Sequence, residues 1–138
     1  MNKSILIAAT LTAGLLASTP VFAEVLAFKA TLDGASQSPK VDTKATGTAD
    51  VKVDTDAKTI TWAIKSKDLT GPVTAAHFHG PADAGANAAP EIDISKSVDA
   101  GSSPITDAQL ADLKAGKLYL NLHTAKFPDG EIRGQVLK

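Results

Sequence analysis

Apolar and polar residues alternate along most of the chain, the period of strands with one buried face, on which residues two apart lie side by side. Leu26, Phe28, Ala30 and Leu32 form one inward set. Ala49, Val51 and Val53 form a second, with Asp50, Lys52 and Asp54 turned to water. Asp54 to Lys58 reads as a hairpin loop, and the returning strand places Ile60, Trp62 and Ile64 inward and Thr61 and Lys65 outward. Beyond Gly71-Pro72 a strand is predicted over Val73 to His79, and a short one around Ile92 and Ile94, flanked by Glu91 and Asp93. Two last strands, Lys117 to Thr124 and Glu131 to Leu137, are joined by a turn at Pro128-Asp129-Gly130.

One segment changes period. Thr106 followed by Gln109 makes a capping box, Ile105 and Leu110 stand at the positions of a hydrophobic staple, and Gly116 is a natural stop. A short helix over Asp107 to Ala115 follows, with Leu110 and Leu113 on one face, and its expected role is to plug one end of the fold. Residues 80 to 90, interrupted by Pro81, Gly85 and Pro90, read as a surface loop. Short strands at regular spacing, one small helix and no βαβ alternation predict an all-β fold, an antiparallel Greek-key β-sandwich with one short α-helix.

The N-terminus obeys a different logic. Lys3 precedes an apolar stretch from Ile5 to Leu16, and Val21-Phe22-Ala23 has the small-x-small character of a signal-peptidase site. Residues 1–23 are therefore expected to be a removable signal peptide and residues 24–138 a single sandwich domain starting at Glu24. The apolar stretch is shorter than the roughly 20 residues that span a bilayer, so no membrane anchor is expected after cleavage. The expected location is periplasmic or secreted. The chain has no cysteine, hence no disulfide and no lipid-modified thiol.

Loss of Lys3 leaves 13 basic against 15 acidic residues, with a single arginine, Arg133, and lysines dispersed among aspartates. Binders of a phosphate backbone concentrate Lys and Arg on one face, so nucleic acid is not an expected partner. There is no Gly-rich phosphate loop, no GxSxG elbow and no HExxH helix, and no Ser, His and Asp set singles out a nucleophile. No enzymatic activity is assigned. Asp54-Thr55-Asp56 lacks the glycine and closing glutamate of an EF-hand loop. Glu91 and Asp93 read as solvated strand residues. Glu131 and Arg133 share an outward face and read as a solvated edge, with an ion pair between them as the alternative.

The chemistry that remains lies in three histidines, all within His77-Phe78-His79-Gly80-Pro81 and Leu122-His123-Thr124. On a strand His77 and His79 share a face about 6.6 Å apart at Cα, so both imidazoles can reach one ion with metal–nitrogen bonds of about 2 Å. Phe78 then points to the core. In the later strand Leu118, Leu120 and Leu122 are the inward set, which turns Tyr119, Asn121 and His123 the same way as the histidine pair. Neighbouring strands would make His123 a third ligand. The residues leave two classes of function open: a metal-binding module, and a metal-free structural domain that binds a protein or polysaccharide through its loops.

The blocks Ala75-Ala76-His77-Phe78-His79-Gly80-Pro81, Gly116 to Thr124 and Pro128-Asp129-Gly130-Glu131-Ile132-Arg133-Gly134-Gln135, in this order, resemble the CHRD domain, the module named after chordin. The resemblance covers nearly all of residues 24–138 and implies an extracellular or periplasmic β-sandwich. The His-x-His strand is also similar to the copper-binding strand of Cu/Zn superoxide dismutases. That likeness implies copper ligands at His77 and His79 with His123 as a further one, and it stops there, since the chain has no cysteine pair and no histidines for a second metal. The leading expectation is an exported module holding Cu(II), with Zn(II) second, because neutral imidazole suits both and Cu(II) stands higher in the Irving–Williams order. Affinity is expected to fall as pH drops through the histidine range near about 6.5.

Overall fold

The structure, a computed structural model, describes residues 22–138. The signal-peptide expectation for residues 1–23 rests almost wholly on residues outside that range. In chain order the elements are β1 (Val25–Asp33), β2 (Thr46–Asp54), β3 (Thr59–Lys67), β4 (Val73–His79), β5 (Pro90–Asp93), β6 (Ala100–Pro104), α1 (Asp107–Lys114), β7 (Tyr119–Thr124) and β8 (Ile132–Gln135). The strands are hydrogen-bonded in the order β5-β4-β7-β8-β1-β2-β3-β6, and every pairing is antiparallel.

This sheet is folded over on itself. β1 and β8 are joined only by the pair Asp33 and Arg133 and by an isolated bridge from Lys29 to Leu137, so the ladder opens there into two halves. The halves pack face to face, with Trp62 of β3 meeting Phe78 of β4 edge-on at 6.1 Å. The chain between β5 and β6 closes the far side: Ile94 N–H donates to Ala76 O, Ile64 N–H to Asp99 O, and the Trp62 indole to Ser97 O. The result is a nearly closed antiparallel β-sandwich whose connections from β3 to β4, from β5 to β6 and from β6 through α1 to β7 cross between halves.

The alternating positions form the core as expected. Leu26, Phe28, Ala30 and Leu32 of β1, Ala49, Val51 and Val53 of β2, and Ile60, Trp62 and Ile64 of β3 are all buried. At roughly 1.5–3 kcal/mol per fully buried large apolar side chain, these sets supply most of the driving force for folding. The capping box is present in both halves: Gln109 N–H donates to Thr106 Oγ1 and Thr106 N–H to Gln109 Oε1. Leu110 and Leu113 enter the core beside Ile105, and Gly116, at φ +70°, ends the helix in a conformation that disfavours a side chain. The helix stops at Lys114 with Ala115 as its cap, one residue short of the expected end.

Strand β6 has no alternating apolar face and is not predicted by the sequence. Its residues are all exposed or half-exposed, and it forms because β3 offers it an open edge. Gly101 belongs there because a Cβ at this position would run into the Trp62 indole.

Candidate metal centre

Strands β4 and β7 are neighbours, with Ala75 opposite His123, His77 opposite Asn121 and His79 opposite Tyr119. Phe78 points into the core and is fully buried, so His77 and His79 share the other face. The three histidines meet there. The His77 ring centroid lies 5.4 Å from that of His79 and 5.2 Å from that of His123, and each residue offers a ring nitrogen within 4.8 Å of the others. Among the described residues this is the one group of three or more His, Cys, Asp or Glu side chains placed to hold a metal.

The face is not the open surface that alternation suggests. All six residues of β7 are buried, including Tyr119, Asn121 and His123, because residues 80–89 and the turn after β7 roof this side of the sheet. The roof is pinned by polar contacts. Ala82 N–H donates to Lys117 O, Gln135 Nε2 to Ala82 O, and Tyr119 exchanges hydrogen bonds with Ala88, accepting from its N–H and donating to its carbonyl.

These backbone carbonyls fix the histidine tautomers. His79 Nδ1 lies 3.0 Å from Ala88 O and His123 Nδ1 lies 2.9 Å from Pro128 O. A carbonyl can only accept, so both rings carry their proton on Nδ1 and present a bare lone pair at Nε2. His79 Nε2 is buried and has no hydrogen-bond partner among the described residues. His123 Nε2 faces His77 Nδ1 at 3.3 Å, about the separation of two ligands of one tetrahedral ion with bonds of 2.0–2.1 Å. The widest pair in the group, at up to 4.8 Å, has roughly 1.5 Å to close to reach that separation.

The electrostatics favour neutral rings. Burial lowers the pKa of His77 and the nearby His123 lowers it further, against an opposing pull from Asp93. Burial also lowers His79; the Ala88 hydrogen bond opposes this, while His77, His123 and Arg133 add to it. Asp93 stands at the mouth, its Oδ1 3.8 Å from His77 Nε2. That is long for a hydrogen bond but within reach of an ion pair. Two bonds from Ser95, one from the hydroxyl and one from the backbone, hold this carboxylate below its usual pKa. Asp93 is exposed as expected from the sequence, yet it is part of the site's surroundings. Glu91 lies away from it, accepting from Gln109.

Glu131 and Arg133 correct the sequence reading. Neither lies on a solvated edge and they do not pair: Glu131 is fully buried and Arg133 is 1 % exposed. The Glu131 carboxylate accepts hydroxyl bonds from Thr43, Thr70 and Thr124 and the Thr70 N–H. Burial alone would raise its pKa; the hydroxyls of Thr124, Thr43 and Thr70 outweigh this and bring it below the ordinary 4.5. It thereby ties β7 and the turn that carries Pro128 to two other loops. A group with a depressed folded pKa stabilises above its unfolded pKa, and the contribution is lost as pH falls through the folded value. Urea midpoints measured across this range are expected to fall less steeply below pH about 4.5 in Glu131→Gln than in wild type, although the variant starts from lower stability at neutral pH.

Sequence reasoning found the three histidines and their common face. It did not find the carbonyls of Ala88 and Pro128, the stack of Tyr119 on His79 at 4.8 Å and 5°, or the roles of Asp93 and Glu131. The alternation of β7 was the signal available for Tyr119; backbone acceptors leave none.

Among the described residues no helix is long and apolar enough to cross a membrane. The sequence model of the CHRD domain matches residues 28–136, nearly the whole described chain. No curated protein and no solved structure matches.

Proposed function

The chain belongs to the CHRD domain family, and from that premise we propose that it is an exported metal-binding module that holds one Cu(II) ion, or Zn(II) as second choice, on His77, His79 and His123. The observation that carries this reading is the pair of Nδ1–H bonds to the Ala88 and Pro128 carbonyls. Metal-ligating histidines are commonly oriented in this way by an acceptor on the other ring nitrogen. The alternative cost is also telling: a buried nitrogen without a partner forfeits about 1–3 kcal/mol, and His79 Nε2 is such an atom.

The donor set fits the group. Three neutral imidazoles suit Cu(II) and Zn(II) and leave a further coordination position. His79 and His123 are buried, and His77, with its side chain 20 % exposed, lines the way in. A bound ion would supply Lewis acidity or, for copper, one-electron chemistry. The chain itself orients the rings, favours neutral His77 and His79 by burial and limits water. The Asp93 carboxylate, 3.8 Å from His77 Nε2, places a negative charge at the mouth of the site that favours a bound cation. Asp93→Asn is therefore expected to weaken Cu(II) binding by about 10-fold, at the low end of changes made behind the ligands, without altering the fold.

Calorimetric titration of tag-free protein with Cu(II), then Zn(II), tests the proposal. It predicts one ion per chain, with Cu(II) tighter. Absence of saturable binding by either ion rejects it in favour of an interaction domain.

A further inference from the structure

Arg133 is the only arginine of the chain, and its buried charge has no counterion among the described residues. Its guanidinium lies over the Tyr119 ring, 3.4 Å from the centroid. Nη1 donates to Asn87 Oδ1 at 3.0 Å and Nη2 to Ala86 O at 2.6 Å, both neutral acceptors. Among the described residues no carboxylate forms an ion pair with it; Glu131, two residues away, is saturated by threonines. A cation taken out of water costs several kcal/mol unless an anion compensates it, and a stacked aromatic ring returns only about 2 kcal/mol of that.

Arg133 also lines an open cavity. A crevice of about 380 Å³ lies between residues 35–40 and Ala84-Gly85, with Arg133 and Gln135 among its lining. That volume falls in the range of small-molecule sites. Asn87 ties its walls together, accepting from Arg133 and donating through Nδ2 to Ser38 O. Two of the five guanidinium N–H groups are used in the bonds described, leaving three, and a planar fork matches the two oxygens of a carboxylate. Lys40 at the rim is exposed and in no ion pair among the described residues, and the Ser36 and Ser38 hydroxyls donate to no protein acceptor there.

We propose that this crevice binds a small hydroxylated carboxylate, a uronic acid residue or a free hydroxy acid, with its carboxylate on Arg133 and its hydroxyls among Ser36, Ser38 and Gln135. A single carboxylate is favoured over phosphate because one buried fork and one rim lysine do not surround a tetrahedral dianion. The site adjoins the three histidines through Tyr119, on which both Arg133 and His79 stack, and is tested without metal.

The experiment is a nuclear magnetic resonance titration of metal-free, tag-free protein at constant ionic strength, observing backbone amides. Sodium galacturonate and sodium tartrate are the probes, with methyl galacturonate and galactose as neutral counterparts and inorganic phosphate as the competing anion. Saturable shifts confined to residues 35–40, 84–87 and 133–135 are expected with one or both carboxylates. Galacturonate alone points to a sugar acid, and tartrate alone to a free hydroxy acid. The neutral counterparts are expected to bind at least about 10-fold more weakly, in line with the loss of a charge-assisted pair. Arg133→Lys should weaken binding by a similar factor. Because that variant alters a buried residue, Lys40→Glu and the crevice-filling Ala35→Trp, both at exposed positions, provide the independent check and should each weaken binding severalfold. Equal binding of the neutral sugars, binding of phosphate as tight as that of the carboxylates, no effect of Ala35→Trp, or no saturable shift by about 50 mM ligand would each overturn the proposal.

Discussion

His79→Ala is expected to lower Cu(II) affinity by more than about 100-fold, beyond the 10–100-fold range reached by changes behind the ligands. The variant should remain folded. The Ala88 carbonyl that accepts from His79 also accepts from the Tyr119 hydroxyl, so it keeps a partner when the imidazole is removed. The change also deletes the unpartnered Nε2. The loss of one hydrogen bond and of the stack on Tyr119 should cost about 1–2 kcal/mol, which thermal unfolding of the metal-free variant will read. A protein that binds Cu(II) as wild type does after this substitution does not use the three-histidine site. The pH dependence has a defined sign. Because burial lowers the pKa of both His77 and His79, protons compete for their lone pairs only below the ordinary 6.5, and the loss of copper affinity that these two ligands cause should set in beneath that point. The stability of the metal-free protein follows the same direction: the part due to these neutral histidines is intact above the unfolded pKa and lost as pH falls from there toward the folded values.

Phe78→Ala is expected to cost about 3–5 kcal/mol, the range for truncating a buried phenylalanine, and to disturb the site through the fold. Phe78 lies between the two histidines of β4, fully buried, with its ring edge-on to Trp62 in the opposite half of the sandwich. A total stability of 5–15 kcal/mol is usual for a domain of this size, so the variant should unfold at a temperature lower by roughly 10–20 °C. Removing this anchor frees β4 to shift against β7, so copper affinity should fall as well. The contrast with His79→Ala is informative: one substitution removes metal affinity at the smaller cost in stability, and the other removes stability first. Calorimetric unfolding and copper titration of both variants separate the two.

The elements that were legible in the sequence are those whose side chains alternate against a packed core. β1, β2 and β3 could be read residue by residue because each buries one face against the opposite half and exposes charged residues on the other. The helix was legible because Thr106 and Gln109 are chosen for their bonds to the backbone. β6 was not, since Gly101, Ser102 and Ser103 bury little and owe their strand to the free edge of β3. The facing of His77, His79, Tyr119, Asn121 and His123 followed from alternation, but the burial of this face did not. Its cover is built from small and polar residues in loops, which carry no periodic signal, and is held by carbonyls and amides that any residue type supplies. For the same reason Glu131 and Arg133 looked solvated: a buried charge is legible only when its partners are known, and three threonines from separate parts of the chain satisfy Glu131.

Electron paramagnetic resonance of tag-free protein loaded with one equivalent of Cu(II) tests the metal centre most directly, because it counts nitrogen ligands rather than inferring them from affinity. The expected result is a single copper species with hyperfine coupling to three imidazole nitrogens, reduced to two in His77→Ala, His79→Ala or His123→Ala. A spectrum of oxygen-coordinated copper, or one unchanged by any of the three substitutions, would contradict it.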